Sequence, residues 1–242
     1  VVGLYKNKGY NILAITDHSY VTNCTLLTNL SANFICVSSE EYTSTKHITR
    51  INVNSAVGGT TQNVVNTANA DGGFAIVAHP NWSSTIWTVA ELTSLQNYTA
   101  IEIYNHVIER LTPDPYALTK WDEVLKTGKK IFGVASDDMH QVNIDLGYGW
   151  TKVYMPEFTK TAYIDSMRTG YFYSSQGPNM DSEPFVLNCD ELNNYHMGET
   201  ANCSAVRINS IISATNSSYV IRNISLIKDG IVINVTLCST QN

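Results

Sequence analysis

Charged residues are scarce in this chain, at 15% of its 242 residues, whereas roughly 25% is typical of a soluble domain. The net charge is −6 and no stripe of Lys and Arg is present, which argues against a nucleic-acid backbone as partner. The sequence also lacks an apolar run of about 18 residues, so it contains no candidate transmembrane segment. Nothing in it sets the oligomeric state.

Cysteine pairs at metal-binding spacing are absent as well. The five cysteines form no CxxC, which disfavours a zinc ribbon. Cys189, Cys203 and Cys238 fall in the last quarter of the chain, where a disulfide would stabilise a small β-rich module. Cys189 and Cys203 are separated by a turn-rich stretch that a bridge could close, with the pairing left open, and the odd count leaves at least one thiol unpaired or paired outside this chain.

The compartment is indicated by Asn-x-Ser/Thr triplets, which are potential glycan acceptors. Eight occur, and chance would give roughly half that number in a chain so rich in small polar residues. They begin at Asn23, Asn29, Asn81, Asn97, Asn202, Asn216, Asn223 and Asn234. With the sparse charge, they favour a secreted or extracellular glycoprotein. The alternative is a cytoplasmic protein that is merely rich in Asn, Ser and Thr.

The first 175 residues alternate short apolar runs with amphipathic stretches, a pattern typical of βα units and a parallel sheet. The predicted strands are 11–16, 34–38, 48–53, 74–78, 100–104, 131–135 and 151–154. The predicted helices are 61–70, 89–96, 116–127 and 161–169, and the chain opens inside a further helix. The fold class is therefore α/β.

Beyond Gly177-Pro178 the pattern changes to alternating apolar and polar residues, which predicts antiparallel strands at 206–212, 219–227 and 231–237. Lys228-Asp229-Gly230 is typical of a hairpin turn. We place a domain boundary near 178–184, giving one domain at 1–180 and a β-rich, sandwich-like module at 181–242. About 60 residues are few for a complete sandwich, so we expect the protein to continue beyond Asn242.

Potential metal ligands follow nearly every predicted strand of the first domain. They are Asp17-His18, Glu40-Glu41, His79, Glu102 with Asn105-His106, and Asp137-Asp138 with His140. The carboxyl ends of parallel strands meet at one edge, so these side chains can converge. Imidazole with carboxylate suits zinc, manganese or iron, and such clusters can hold several metals around an activated water.

These residues also carry a family resemblance. Residues 9–18, GYNILAITDH, resemble the G-[YF]-[DN]-x-[LI]-A-[IL]-T-D-H signature of the PHP (polymerase and histidinol phosphatase) superfamily. Four further motifs follow in the family's order, and they are Glu41-x-Thr43 with His47, Ala78-His79-Pro80, Glu102-x-x-Asn105 and Ser136-Asp-Asp-x-His140. Residues 170–178, GYFYSSQGP, resemble the end of the domain in the carbaryl-hydrolase-like branch, and the resemblance covers about residues 1–180.

The resemblance implies a distorted (β/α)7 barrel that holds two or three divalent metals. The ligands it implies are His18, Glu41, His47, His79, Asp138 and His140. Glu41 would bridge the metals, with Glu40 as the competing choice. Asp17 would orient an imidazole or relay a proton. The catalytic residues would then be Asp17, His18, Glu41 and His140.

One element of the family pattern is missing from this chain. The family opens with a strand that carries His-x-His, and no His-x-His occurs here. We expect the segment to lie upstream of Val1, because a barrel without its first strand would expose an unpaired sheet edge. If the segment is truly absent, one metal loses two imidazoles and activity is reduced or lost.

The leading hypothesis for function is hydrolysis of a small-molecule phosphoester by a metal-activated hydroxide. Arg50 is the candidate substrate contact, with Lys46 and Arg110 as other cationic candidates. The similar branch also contains amide and carbamate hydrolases, so the bond cleaved stays open. The alternative from another class is a secreted, non-catalytic surface or interaction module on a decayed barrel.

Overall fold

The computed structural model describes residues 1–27, 32–189, 193–202, 206–214 and 220–238. The helices are α1 (Val2–Asn7), α2 (Thr61–Ala70), α3 (Val89–Ser94), α4 (His106–Leu111), α5 (Leu118–Lys126) and α6 (Lys160–Thr169), with a 3-10 turn at Cys24–Leu26. The strands before residue 178 are β1 (Ile12–Ile15), β2 (Ile35–Thr43), β3 (His47–Ile51), β4 (Phe74–Val77), β5 (Ala100–Asn105), β6 (Phe132–Ser136), β7 (Trp150–Val153) and β8 (Phe172–Ser175).

Strands β1 to β6 form one curled sheet in sequence order. The pairs β1–β2, β4–β5 and β5–β6 are parallel, but β3 runs antiparallel to both β2 and β4. The expectation of a purely parallel sheet is therefore wrong at β3. Thr43 pairs with His47, and so short a connection permits only a hairpin, because a parallel partner needs a crossover of a dozen residues or more.

The seventh predicted strand does not join this sheet. It is β7, which pairs with β8 in a separate two-stranded sheet. Side chains attach that sheet to β6: the Thr151 hydroxyl donates to the carbonyl of Ala135 at 3.3 Å, and the Ser174 hydroxyl donates to that of Gly133 at 2.8 Å. In the described residues the result is an open six-stranded half-barrel, rather than the closed seven-stranded barrel expected from the resemblance.

The core lies on both faces of the half-barrel. On one face α2, α3 and α5 bury Val64, Leu92 and Val124 against Ile48 and Ile101 of the sheet. On the other face, α6 and β8 bury their apolar side chains, which include Ile164, Met167 and Phe172. Each large side chain buried in this way stabilises the fold by about 1.5–3 kcal/mol, so the strand ends are held on a rigid base.

The helices begin where the sequence offers a cap. Thr60, Thr88 and Thr159 each accept a backbone N–H at the start of α2, α3 and α6, which satisfies one of the otherwise unpaired amides. Predicted helix 61–70 is confirmed without change, and the other three are confirmed with shifted ends. The sequence analysis missed α4, a short helix that begins directly after β5 with Asn105 as its cap.

Beyond β8 lie β9 (Pro178–Cys189), β10 (Asn193–Tyr195), β11 (Val206–Ala214), β12 (Asn223–Lys228) and β13 (Ile231–Leu237). The predicted hairpin turn is confirmed, with positive φ at Asp229 and Gly230 between the paired Lys228 and Ile231. Strands β9, β10 and β11 form a second antiparallel sheet. The division into two domains stays a prediction. No helix in the described ranges is long and apolar enough to cross a membrane.

The disulfide found in the described residues lies near the start of the chain, whereas the sequence pointed to the β-rich region. Cys24 and Cys36 are bridged, with their Cα atoms 5.5 Å apart, so the bond links the loop after β1 to β2. A bridge between Cys189 and Cys203 would join residues whose side chains lie outside the described part of the chain. Cys238 is described and is a free thiol.

Candidate metal centre

The two glutamates of β2, Glu40 and Glu41, point to opposite faces of the sheet. Both lie inside β2 rather than after it, because the strand continues past the predicted end to pair with β3. Successive side chains of a strand point to opposite faces. Glu40 accordingly contacts Arg50, whereas Glu41 faces two histidines. This geometry favours Glu41 over Glu40 as the bridging carboxylate.

Glu41, His47 and His79 form the buried part of the site. Glu41 Oε1 accepts from His47 Nδ1 at 2.8 Å and from His79 Nε2 at 2.9 Å. The two ring nitrogens are 3.3 Å apart, and one ligand atom from each of the three residues lies within 4.8 Å of the others. Each residue comes from a different strand end: the end of β2, the start of β3, and the position just after Ala78 that follows β4.

A second pair of imidazoles lies on the other side of Glu41. His18 Nε2 is 3.2 Å from His140 Nε2 and 3.8 Å from Glu41 Oε2. His140 Nδ1 donates to the carbonyl oxygen of Asp138 at 2.7 Å, which leaves Nε2 with its lone pair free to face His18. The Asp138 carboxylate lies 3.7 Å from the same His140 nitrogen. The structure thus brings together all six candidate ligands, which are His18, Glu41, His47, His79, Asp138 and His140.

The charges of the site depend strongly on one another. Burial alone would raise the pKa of Glu41, but hydrogen bonds from His47 and His79 outweigh it and lower that pKa to about 2. Burial opposes charge on His79, yet its bond to Glu41 and the charge of Glu102 raise its pKa. Burial, followed by the charges of Glu102 and Glu41, raises the pKa of Asp138 to about 7. The carboxylates of Glu41, Glu102 and Asp138 therefore repel one another, and bound cations would reduce that repulsion.

Glu102 supports the ligands without being one of the six. Its Oε2 accepts the backbone N–H of His79 at 2.6 Å and the side-chain amide of Asn105 at 2.9 Å, and its Oε1 accepts the Ser136 hydroxyl at 2.6 Å. Asn105 in turn donates to Asp138 at 3.2 Å. His79 has a positive φ of 24°, and the bond from Glu102 to its amide helps to hold that backbone. The sequence signal was the Glu-x-x-Asn motif on β5.

Asp145 anchors the segment that carries His140, and the sequence analysis missed it. Its side chain is fully buried, and Oδ2 accepts the backbone N–H groups of His140 at 3.1 Å and Gln141 at 2.7 Å. Oδ1 accepts from Arg110 Nε at 2.9 Å. These bonds outweigh burial and hold the pKa of Asp145 below its usual range. No sequence signal marked Asp145, because its role depends on α4 and on a loop.

Asp137, next to the candidate ligand Asp138, faces away from the cluster. Its carboxylate accepts the Tyr5 hydroxyl at 2.9 Å and the backbone N–H groups of Gly147, Tyr148 and Gly149 at 2.7–2.8 Å. It therefore ties the end of the loop after β6 to α1. Asp137 thus has a structural role in the loop, although the sequence placed it among the potential metal ligands.

The expected substrate contact by Arg50 conflicts with its position. The side chain is 0% exposed, and its guanidinium is used by Glu40, by the carbonyl of Ser55 and by Asp71. A group without solvent-accessible surface cannot meet a substrate, so Arg50 has a structural role inside the fold. Lys46 is likewise paired, with Glu91 at 2.9 Å.

Asp17 does not take the position expected for it. It is exposed, and its carboxylate accepts the Thr22 hydroxyl. Its backbone carbonyl accepts from Glu41 N at 3.1 Å, so it helps to hold β1 beside β2. Among the described contacts it reaches no imidazole, and its assignment as an orienting or catalytic residue stays a prediction.

Trp82 lies against the cluster, and the sequence analysis did not single it out. Its ring is edge-on to the rings of His47 and His79, with centroids 5.6 Å and 5.0 Å away. The side chain is half-buried. It therefore forms one wall of the site, and no residue pattern distinguished it from the other tryptophans.

The donor set fits metal ions. Tetrahedral zinc, with Zn–N distances of 2.0–2.1 Å, places two ligand nitrogens roughly 3.3 Å apart. The separations found are 3.2 Å for the pair His18 and His140 and 3.3 Å for the pair His47 and His79. His79 Nδ1 is buried without a hydrogen-bond partner. Imidazole and carboxylate donors with the carboxylate between two imidazole pairs suit more than one divalent cation.

No protein-family model matches the sequence, and no curated protein matches it either. Solved structures do match. A two-domain protein from Bacteroides vulgatus, described as containing a predicted PHP-like metal-dependent phosphoesterase, gives a TM-score of 0.52 at 13% identity, covering 89% of this chain and 80% of that one. PsfC from Pseudomonas syringae gives 0.51 at 12% identity, covering 72% and 80%. The chain therefore has a PHP-like fold, as the resemblance of its motifs led us to expect.

Proposed function

We propose that this chain carries the active site of a metal-dependent hydrolase that cleaves a small-molecule phosphoester. The proposal rests on the position of Glu41 between two pairs of imidazoles. Its Oε1 faces His47 and His79, and its Oε2 faces His18, which lies beside His140. Such a carboxylate is suited to bridging two divalent ions. Zinc, manganese and iron all match the donors, and the neighbour from Bacteroides vulgatus supports the reaction class.

Some residues of the site would hold the metal ions, and others fix the orientation of those ligands. The four imidazoles, Glu41 and Asp138 would hold two or three ions. Glu102 and Asp145 fix the backbones of His79 and His140, so the ligands are set before any ion or substrate arrives. Trp82 shields one side from water. When bound, divalent ions lower the pKa of a coordinated water and neutralise charge on phosphoryl oxygens.

Convergence of all six ligands supports an enzyme rather than a non-catalytic module on a decayed barrel. Buried carboxylates that repel one another weaken the fold unless a cation offsets them. An amide or carbamate hydrolase could use the same donors, and it is kept as the alternative reaction. Assays on phosphoester and carbamate substrates distinguish these two reactions.

The test compares Glu41→Gln with Glu123→Gln, a matched change at an exposed glutamate paired with Lys126. Each protein is loaded with Mn²⁺, Zn²⁺ or Fe²⁺, its metal content is measured, and it is assayed on 4-nitrophenyl phosphate, bis-4-nitrophenyl phosphate and a 4-nitrophenyl carbamate. We expect phosphoester turnover by the wild type and by Glu123→Gln. Glu41→Gln should lose turnover and bind metal at least 10-fold more weakly.

Unchanged metal content and turnover in Glu41→Gln would contradict the assignment. Turnover of the carbamate without turnover of either phosphoester would replace the proposed bond by the alternative one.

We also propose an extracellular setting. The Cys24–Cys36 disulfide supports it, since such bonds persist in oxidising compartments. Two of the triplet asparagines, Asn223 and Asn234, are exposed on the β12–β13 hairpin. Intact-mass analysis of the native protein tests this setting. Two free thiols at Cys24 and Cys36, with no added mass at any Asn, would contradict it.

A further inference from the structure

We propose that the substrate of this site carries an aromatic group on a single phosphoryl centre, rather than a nucleotide or a polyphosphate. The inference rests on the proposed function and concerns the rim of the same site. It starts from a set of aromatic rings on the segments around the metal cluster, of which Trp82 contacts the ligands His47 and His79, and we call this set the aromatic arc. The arc consists of Trp82, Tyr104, His106, Tyr116 and Tyr148.

Four of its members, Tyr104, His106, Tyr116 and Tyr148, are linked through their side chains, and Trp82 is joined to them by a hydrogen bond of the adjoining Asn81. Trp82 touches the ligands His47 and His79. Its neighbour Asn81 donates to the carbonyl oxygen of Tyr116 at 2.8 Å, and the ring of Tyr116 packs on Tyr104 with centroids 5.4 Å apart.

The arc then continues to the loop after β6. The Tyr104 hydroxyl lies 3.5 Å from His106 Nδ1, and the ring of His106 stacks on Tyr148 with centroids 3.9 Å apart and an interplanar angle of 8°. Tyr104 and His106 are buried, and they support the outer rings from below.

The outer rings of the arc are exposed but fixed. Tyr148 is 48% exposed and Tyr116 41% exposed. Tyr148 is held by its stacking on His106 and by the bond from its own N–H to Asp137, and the Tyr116 hydroxyl bonds to Gln176 at 3.0 Å. An aromatic surface that is ordered before binding loses little conformational entropy when a flat apolar group docks on it.

Positive charge around the site is limited, which disfavours a substrate with several phosphates. The segments 16–34, 78–88 and 137–149, which follow β1, β4 and β6, contain no Lys or Arg. Lys46 is paired with Glu91 and Arg110 with Asp145. Among the described residues, two cations without a carboxylate partner border the site: Lys8 approaches Gly147 from α1, and Lys120 donates to the carbonyl oxygen of Pro80 at 2.7 Å. The metals can neutralise one phosphoryl group, whereas a second and third would meet only these two lysines.

The experiment measures binding rather than turnover. Calorimetry on the Mn²⁺-loaded chain compares phenylphosphonate with methylphosphonate, which share the phosphoryl group and differ in the ring, and ADP serves as the polyphosphate probe. We expect phenylphosphonate to bind at least about 10-fold more tightly than methylphosphonate and than ADP. Trp82→Ala and Tyr148→Ala should reduce the ratio of the two phosphonates below about 3-fold, whereas Trp82→Phe should keep it.

Phe158→Ala is the matched control, because Phe158 is an exposed aromatic residue outside the arc, and it should leave the ratio unchanged. Equal affinity for both phosphonates, tighter binding of ADP, or a ratio that survives Trp82→Ala and Tyr148→Ala would overturn the inference. Failure of every phosphonate to bind would overturn it together with the proposed function. Aryl-selective binding without turnover of any phosphoester would reject hydrolysis alone and support the assignment of the arc.

Discussion

Removal of the Asp137 carboxylate should strongly destabilise the chain. Four donors converge on this group, from Tyr5, Gly147, Tyr148 and Gly149. Tyr148 is exposed and Gly147 half-buried, so water can replace the carboxylate at their amides. The Tyr5 hydroxyl and the Gly149 amide belong to buried residues, and both would lose their partner.

The magnitude follows from those two buried donors. Each buried polar group left without a partner costs about 1–3 kcal/mol, so Asp137→Ala should lower the free energy of unfolding by about 4 kcal/mol. For a chain of this length, each kcal/mol shifts Tm by roughly 2–4 °C, which gives a fall of about 8–16 °C. Tyr5→Phe removes one donor and leaves Asp137 with three backbone partners, so it should cost only about 1 kcal/mol.

Urea denaturation followed by tryptophan fluorescence measures both variants, with the free energies obtained by linear extrapolation. A loss below 1 kcal/mol for Asp137→Ala would refute the reasoning. So would a Tyr5→Phe variant as unstable as Asp137→Ala, because the anchor would then depend on one hydroxyl rather than on the loop.

Three further changes test structural assignments by thermal or urea denaturation. Arg50→Ala should lower the free energy of unfolding by about 3–5 kcal/mol, because it leaves Glu40 buried without its partner. Adding Glu40→Gln should recover part of that loss. Full stability of Arg50→Ala with reduced substrate affinity would instead support Arg50 as a substrate contact. Thr88→Ala breaks the capping box of α3 and should cost about 1 kcal/mol, and a neutral result would contradict the cap. Replacing Cys24 and Cys36 by Ser opens a loop with a sequence separation of 12 and should cost about 3 kcal/mol in the chain-entropy model, whereas a Tm insensitive to reductant would argue against the bond.

Strand positions were predictable because each is a short apolar run. All seven predicted strands of the first domain are present, and β1 and β4 match to within a residue or two at each end. The direction of β3 was not predictable from its own residues, because apolar content is the same for a parallel and an antiparallel strand. The three residues between Thr43 and His47 decide the direction, and the predicted end of β2 hid how short that connection is.

The candidate ligands were foreseen because metal-binding residue types follow strands, and strand ends converge in this topology. The residues that hold them were not. Asp145 depends partly on the distant Arg110, and Trp82 on the distant His47, and an isolated aspartate in a loop carries no local signature. The prediction that Arg50 contacts substrate failed for the same reason, because the sequence does not show whether a cation near candidate ligands is exposed or buried.

The reversed direction of β3 also determines the order in which the centre can assemble. Glu41 and His47 are six residues apart and His79 is 32 further on, whereas His18 and His140 are separated by 122 residues. Closing a loop costs entropy that grows with its length, and distant contacts form late. In a folding chain, Glu41, His47 and His79 can therefore come together at one hairpin and the strand beside it. The pair His18 and His140 must wait for the two ends of the sheet to meet, so under the proposed function an ion bound to the first three ligands would favour folding before the centre is complete.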